Sequence, residues 1–434
     1  MLRIRLFDMS DNNIVTDMQW GFTKGRSTEG ILLKMTETWK QSVDNGLTVG
    51  VVFIDFQKAF DTVSHEVLSY KLQGAGISGN LHALIMNYLT DRTQYTEING
   101  ECSSTKHVRC GVPQGSLLGP KLYSLHVNDL PSAITQGEMY LFADDTTVYC
   151  AGKELESVLD TLNSIMDEIY NWCMRNKLKV HPGKCEAMIM MRSPFIGPMR
   201  PIFYGEDHIK IVQESTCLGL RIDNRLDWKP QVQNVCKSFS KKLGALKRMR
   251  CLPTKVLEEI YYTTIIAKTT YCISVWGNCS EATFNMLEDN HARAARLIHN
   301  LPRDLSNEES LARANWQPIS LLYKRRLLTL MYQIYHGTAD KSITQMFQKK
   351  DPDIQRTRNK RQFEVKRYNT KTGRNSFTYK GTMIWNSIPD RIKDAETVQN
   401  FKTKLKGVRQ TINKLSFQKG LTGFLNKERD FIYY

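Results

Sequence analysis

Apolar and polar positions change style along this chain. Up to about residue 223, short apolar runs alternate with helical stretches and turns; from Asp227 onward the pattern is helical. Residues 1–48 read as mostly helical, with a break at Gly21-Phe22-Thr23-Lys24-Gly25-Arg26-Ser27-Thr28. The run Val49-Gly50-Val51-Val52-Phe53-Ile54-Asp55 reads as a buried strand, being apolar, largely β-branched and short. Residues 65–89 alternate helical patches around a turn at 74–79, residues 95–112 predict a hairpin turning at Asn99-Gly100, and residues 120–130 a helix. Residues 139–150 predict strand–turn–strand. Leu155, Val158, Leu159, Leu162, Ile165, Met166 and Ile169 then repeat at three- and four-residue spacing, an amphipathic helix. Residues 184–191 predict another strand, Pro194, Pro198 and Pro201 mark a linker, and 209–212 with 217–222 suggest a second hairpin. Beyond Pro230, a stripe of Val232, Val235, Phe239, Leu243 and Leu246 predicts a long helix; Pro253, Ser280 and Pro318 open further helices, and Ser306 with Glu309 fits a capping box. The expected class is α+β followed by helices.

Composition narrows the partners. The 434 residues suffice for two or three domains, and a net charge of +16 favours a polyanion, nucleic acid before acidic membrane. Residues 346–434 hold 21 Lys/Arg against 8 Asp/Glu. In this tail aromatics stand among basic residues: Arg367-Tyr368, Arg374 to Lys380 with Phe377 and Tyr379, and Trp385. That suits stacking on single-stranded nucleic acid, or equally a small core of Phe377, Tyr379, Ile384, Trp385, Ile388 and Phe401. No apolar run approaches the roughly 20 residues of a spanning helix, and the N-terminus lacks a signal-peptide core. The expected setting is intracellular, nucleus or cytoplasm, with no membrane. Ten cysteines without a Cys-x-x-Cys pair read as reduced thiols.

Candidate chemistry sits in two acidic clusters. Val51 to Asp55 ends an apolar strand in a carboxylate, and Tyr140-Leu141-Phe142-Ala143-Asp144-Asp145 does the same. Carboxylates at the mouth of buried strands, without a neighbouring Lys or Arg in sequence, are costly to desolvate. A divalent cation with hard oxygen ligands, Mg²⁺ or Mn²⁺, removes that cost. Two such ions about 3.5–4 Å apart serve phosphoryl or nucleotidyl transfer. Asp61 reads as a cap for the helix that follows.

The clusters belong to a larger set of blocks. Gln19-Trp20-Gly21-Phe22 with Ser27-Thr28, Phe53-Ile54-Asp55 through Phe60-Asp61, Gly111-Val112-Pro113-Gln114-Gly115-Ser116-Leu117-Leu118-Gly119-Pro120, Phe142-Ala143-Asp144-Asp145, and Leu218-Gly219 occur in order, with a looser His181-Pro182-Gly183-Lys184 between the last two. In these residues the chain resembles the reverse transcriptases of non-LTR (LINE-type) retrotransposons, the jockey-like group in particular. The resemblance implies a right-hand polymerase palm with a mixed or antiparallel sheet. It sets residues 1–223 as palm with a remnant of fingers, 224–300 as a helical thumb and 301–434 as a basic, mainly helical C-terminal region. It implies RNA-directed DNA polymerase activity on an RNA template and DNA primer, with deoxynucleoside triphosphates and Mg²⁺ (Mn²⁺ possible).

The resemblance also assigns residues. Asp55, Asp144 and Asp145 would be the catalytic metal ligands. Phe60 would lie under the incoming sugar and exclude a 2′-hydroxyl, with core packing as the plainer alternative. Gln114 and Gly115 would contact the nucleotide, with an ordinary loop amide as the alternative for Gln114. Lys184 would steady the leaving pyrophosphate, or be a solvated turn residue. Leu218 and Gly219 would grip the primer, and Lys237, Lys241, Lys242, Lys247, Arg248 and Arg250 would track the duplex. The match begins late: eighteen residues precede Gln19, of which Arg3 and Arg5 are the basic ones. An N-terminally truncated form is therefore expected, with no block resembling an endonuclease or ribonuclease H. The rival expectation is a catalytically defective remnant that only binds nucleic acid. An intron maturase or telomerase is a weaker third.

Overall fold

The computed structural model describes residues 14–193, 195, 197–351 and 361–407. The helix expected before residue 14, Arg3, Arg5, Pro194 and the tail beyond residue 407 lie outside these. The chain divides into two compact units, one holding residues up to Ile31 and Asn45–Gly219, the other Leu32–Asp44 and Leu220 onward.

A six-stranded sheet centres the first unit. Its strands are β1 (Thr48–Ile54), β2 (Glu138–Phe142), β3 (Asp145–Gly152), β4 (Glu186–Met190), β5 (Ile202–Tyr204) and β6 (Asp207–Ile211), in the spatial order β2-β3-β1-β4-β6-β5. All neighbours are antiparallel except β4 and β6. β1 is buried at all seven positions, which is why its sequence is an unbroken apolar run and not an alternation. The amphipathic stretch forms a helix over Leu155–Asn176, burying Val158, Leu159, Leu162, Ile165, Met166 and Ile169. It lies so close to β1 that a Cβ on Gly50 would come within 2.7 Å of Val158 and Leu162. The helix stops at Lys177, whose φ of 57° is left-handed.

Two expectations in this unit are corrected and a third is borne out in a divided form. Residues 209–212 do not form a hairpin with 217–222; β6 instead pairs with β4 and β5. The buried Ile209 and the neighbouring edge of β4 offer it a larger apolar surface than a free hairpin would. Residues 14–27 contain no helix; the first among the described residues, α1 (Thr28–Asp44), starts where the glycine-containing break ends. The hairpin expected near Asn99-Gly100 is two ladders, Glu97–Ile98 with Glu101–Cys102 and Arg92–Gln94 with Lys106–Val108. Asn99 and Gly100 both have positive φ, as a tight hairpin turn requires.

The second unit is helical. Lys229–Arg248 buries Val232, Cys236, Phe239, Leu243 and Leu246, so Cys236 takes the inward place expected of Val235. Pro253, Ser280 and Pro318 stand at the N-caps of Thr254–Ile260, Glu281–Ile298 and Ile319–Tyr335, and Ser306 and Glu309 form the capping box. Within this unit α1 supports later segments. Glu37 accepts the backbone N–H groups of Phe377 and Thr378 at 2.7 and 2.8 Å, capping the helix Phe377–Ser387. Asp44 accepts from the backbone of Asn369 and Thr370. Phe377, Ile384, Trp385, Ile388 and Phe401 are buried, while Tyr379 is only partly so.

Candidate active site

Each acidic cluster is delivered by a strand end. Asp55 is the residue after β1, and Ile54 is paired with Thr146 on β3, so the next step along the ladder brings Asp55 level with Asp145. Phe142 and Asp145 pair across a two-residue turn made of Ala143 and Asp144. Ala143 holds φ 57°, a conformation that glycine adopts more readily.

Gln19 holds that turn. Its Oε1 accepts the Gly21 N–H at 2.8 Å and the Ala143 N–H at 3.3 Å. Trp20 donates to the Leu141 carbonyl at 2.7 Å, and Leu141 donates to Met18 at 2.9 Å, so this segment lies along the edge of β2. A Cβ on Gly21 would stand 2.4 Å from the Ala143 nitrogen, which explains the glycine. The block was visible in sequence; its use as a buttress for the Asp144 turn was not.

Electrostatics tie the three carboxylates together. Loss of hydration pushes the Asp145 carboxyl up, and the charges of Asp144 and Asp55 add to it. Lys184 is a cation within reach: its Nζ lies 3.5 Å from Asp55 Oδ2. Both side chains are more than a third exposed (64 % and 43 %), so the pair contributes at most about 1 kcal/mol. The turn carrying Lys184 is anchored to the same aspartate, since the His181 N–H donates to the Asp55 carbonyl at 2.8 Å and Lys184 N–H to His181 at 2.9 Å.

The other residues expected from the sequence have their own local surroundings. The Phe60 ring stacks on Tyr123 with centroids 4.6 Å apart and planes at 23°. Tyr123 in turn feels the charges of Asp144 and Asp145, although burial is the main reason its hydroxyl is held far above the usual range. Gln114 donates from Nε2 to Asp61 Oδ1 at 2.7 Å. Asp61 therefore does not cap the following helix; Ser64 does. Gly115 has φ 76° and open space where a Cβ would stand. Leu218 and Gly219, both at positive φ, follow Cys217, whose Sγ lies 3.9 Å from Thr147 Oγ1 on β3. In the second unit, Lys242 donates to the Thr264 carbonyl and Arg250 to Leu297. Tyr123 and the Asp61 partner of Gln114 went unnoticed in sequence, because no spacing rule links residues in separate loops.

Residues 1–222 match the family described as reverse transcriptase (RNA-dependent DNA polymerase). The chain belongs to this family. It is similar to the probable RNA-directed DNA polymerase from transposon BS of Drosophila melanogaster, 26 % identical over 305 residues, covering 68 % of this chain and 34 % of that protein. It is similar to the polymerase from mobile element jockey of the same species, at 25 % identity, covering 66 % and 32 %. A Pol polyprotein from type-1 retrotransposable element R1 of Bradysia coprophila matches at 27 %, covering 60 % and 26 %. The resemblance to non-LTR retrotransposon reverse transcriptases is thereby borne out, and the chain spans about a third of the length of the first two relatives. A solved telomerase from Candida albicans, in complex with a fragment of telomeric RNA, is similar at 13 % identity and a TM-score of 0.39, over 73 % of this chain and 58 % of that one.

The residues present suit a hard divalent cation. Among the described residues no three His, Cys, Asp or Glu side chains make a ready cage. That is compatible with Mg²⁺, which commonly takes one or two carboxylates and completes its shell with water and substrate phosphates. Burial raises Asp145 most and repulsion from Asp144 and Asp55 adds to it; a cation would offset both.

Proposed function

We propose that this chain is the RNA-directed DNA polymerase portion of a non-LTR retrotransposon, extending a DNA primer on an RNA template with deoxynucleoside triphosphates and Mg²⁺. The observation that carries this reading is the convergence of Asp55, Asp144 and Asp145 at the adjoining ends of β1 and β3, with the Asp145 carboxyl raised by loss of hydration and further by its two neighbours.

Asp55 and Asp144 are the proposed principal metal ligands, with Asp145 assisting. A divalent cation bound there would stabilise charge developing on phosphoryl oxygens and acidify the primer 3′-hydroxyl. Lys184 balances Asp55 until a cation takes that place, and its ammonium is then free to meet phosphate. Phe60 would occupy the space of a 2′-hydroxyl. Gln114, turned toward Asp61 in this structure, would contact the nucleotide, and Gly115 leaves its backbone open to a close approach. The turn at Leu218 and Gly219, close behind β3, would support the primer end.

Primer extension on an RNA template tests the reading, comparing the parent with Asp144→Ala/Asp145→Ala. The expected result is Mg²⁺-dependent incorporation by the parent, reduced at least a thousandfold in the double variant, as loss of about 4 kcal/mol of transition-state stabilisation implies. Equal incorporation by both proteins overturns the assignment. Folded parent protein that binds primer–template and incorporates nothing overturns catalysis and leaves only binding.

A further inference from the structure

Phe60 is held at two points. Its carbonyl accepts the Val112 N–H at 2.8 Å, which fixes the backbone. One face of its half-buried ring lies on Tyr123, which fixes the side chain. Tyr123 has no freedom to follow a moving neighbour: it is fully buried, on the helix Gly119–His126 whose residues Lys121 to His126 are all buried. Its hydroxyl meets no hydrogen-bond partner among the described residues, so the ring face, not the hydroxyl, is what the position uses.

We infer that Tyr123 is a positioning residue for sugar selection: its buried ring sets the height and tilt of the Phe60 ring, and thereby how strongly the site rejects a ribonucleotide. The inference rests on the proposed role of Phe60 as the surface met by the sugar. A 2′-hydroxyl is excluded by contact at van der Waals range, where a displacement of a few tenths of an ångström changes the repulsion steeply. A side chain without a flat face at position 123 lets the Phe60 ring settle or tilt away. An offset-stacked pair is worth enough to change a selectivity ratio about two- to tenfold when lost.

The test uses the full chain bound to an RNA template and a DNA primer ending in a dideoxynucleotide, so that binding is read without chemistry. Affinities for the matched deoxy- and ribonucleoside triphosphate are titrated with Mg²⁺ for the parent, Phe60→Ala, Tyr123→Phe, Tyr123→Leu and Tyr123→Met. The expected result is a preference for the deoxynucleotide that Phe60→Ala abolishes and Tyr123→Phe retains. Tyr123→Leu and Tyr123→Met should lower it about two- to tenfold through tighter ribonucleotide binding, with deoxynucleotide affinity little changed. The methionine variant fills the same space and stands in if the leucine variant does not fold. Parental preference in the folded Leu or Met variant, alongside its loss in Phe60→Ala, overturns the inference and leaves the Phe60 reading intact. A preference that survives Phe60→Ala, or none in the parent, overturns the Phe60 reading and the inference with it.

Discussion

His126 shows how one buried side chain sets a pH limit. It is fully buried, and burial, assisted by the positive charge of Lys71, brings its pKa down to about 4. The unfolded chain takes up the proton at the ordinary histidine value, about 6.5, and the folded chain resists until about 4. Stability is thus fully present above about pH 6.5, declines as pH falls through that window, and levels off below about pH 4, at a cost of about 3 kcal/mol. Denaturation midpoints taken between pH 4 and 7 should fall more steeply for the parent than for His126→Leu. Parallel slopes in the two proteins would exclude His126 as the source. At this scale, what could be read in advance was residue type at strand ends. Asp55, Asp144 and Asp145 announced themselves by ending apolar runs. Tyr123 did not, since an aromatic residue on a buried helix looks like any other core residue. Asp61 was misread because capping preference is a local statistic, and the contact from Gln114 comes from 53 residues away.

Among elements, periodicity served well wherever one face of a helix or both faces of a strand were buried. β1 and the helix Leu155–Asn176 were legible for that reason. It failed at 209–222, because a short run of alternating residues does not say which edge it will join. Nor could it say how the helix Phe377–Ser387 begins. Ser376 caps it from the sequence-adjacent position, accepting from Tyr379, but Glu37 takes the first two buried N–H groups. Removing that carboxylate leaves donors without acceptors in a dry place. Glu37→Ala should cost about 2–4 kcal/mol, and Glu37→Gln, which keeps one accepting oxygen, clearly less. Urea midpoints of the two variants and the parent measure this; coincident midpoints would mean the cap contributes nothing.

For the whole molecule, the basic C-terminal segment is the place where composition left two readings open. Charge and aromatics suited either stacking on nucleic acid or a small core, and Phe363, Phe377, Trp385 and Phe401 are buried in a core with their faces taken. Tyr335 on Ile319–Tyr335 stacks on Trp385 at 5.4 Å, and Tyr332 on Phe401 at 4.5 Å. Removing any one large aromatic from a core costs about 3–5 kcal/mol, so losing four exceeds the roughly 5–15 kcal/mol by which a domain is stable. A chain ending at residue 351 should therefore lose the cooperative melting of its second unit and much of its soluble yield. A truncated protein that melts as the parent does would restore the appendage view.

The acceptors on α1 also impose an order in time. Glu37 leaves the ribosome 340 residues before the Phe377 backbone it will cap. At about 5–20 residues per second, that interval is on the order of half a minute. Throughout it, Trp39 and Lys40, both destined for full burial, have no finished second unit around them. Synthesis therefore asks the early helix to remain uncommitted while the sheet, whose six strands all follow it in sequence, forms. A cell making this protein is expected to shelter the growing chain with a chaperone until residues 369–401 appear.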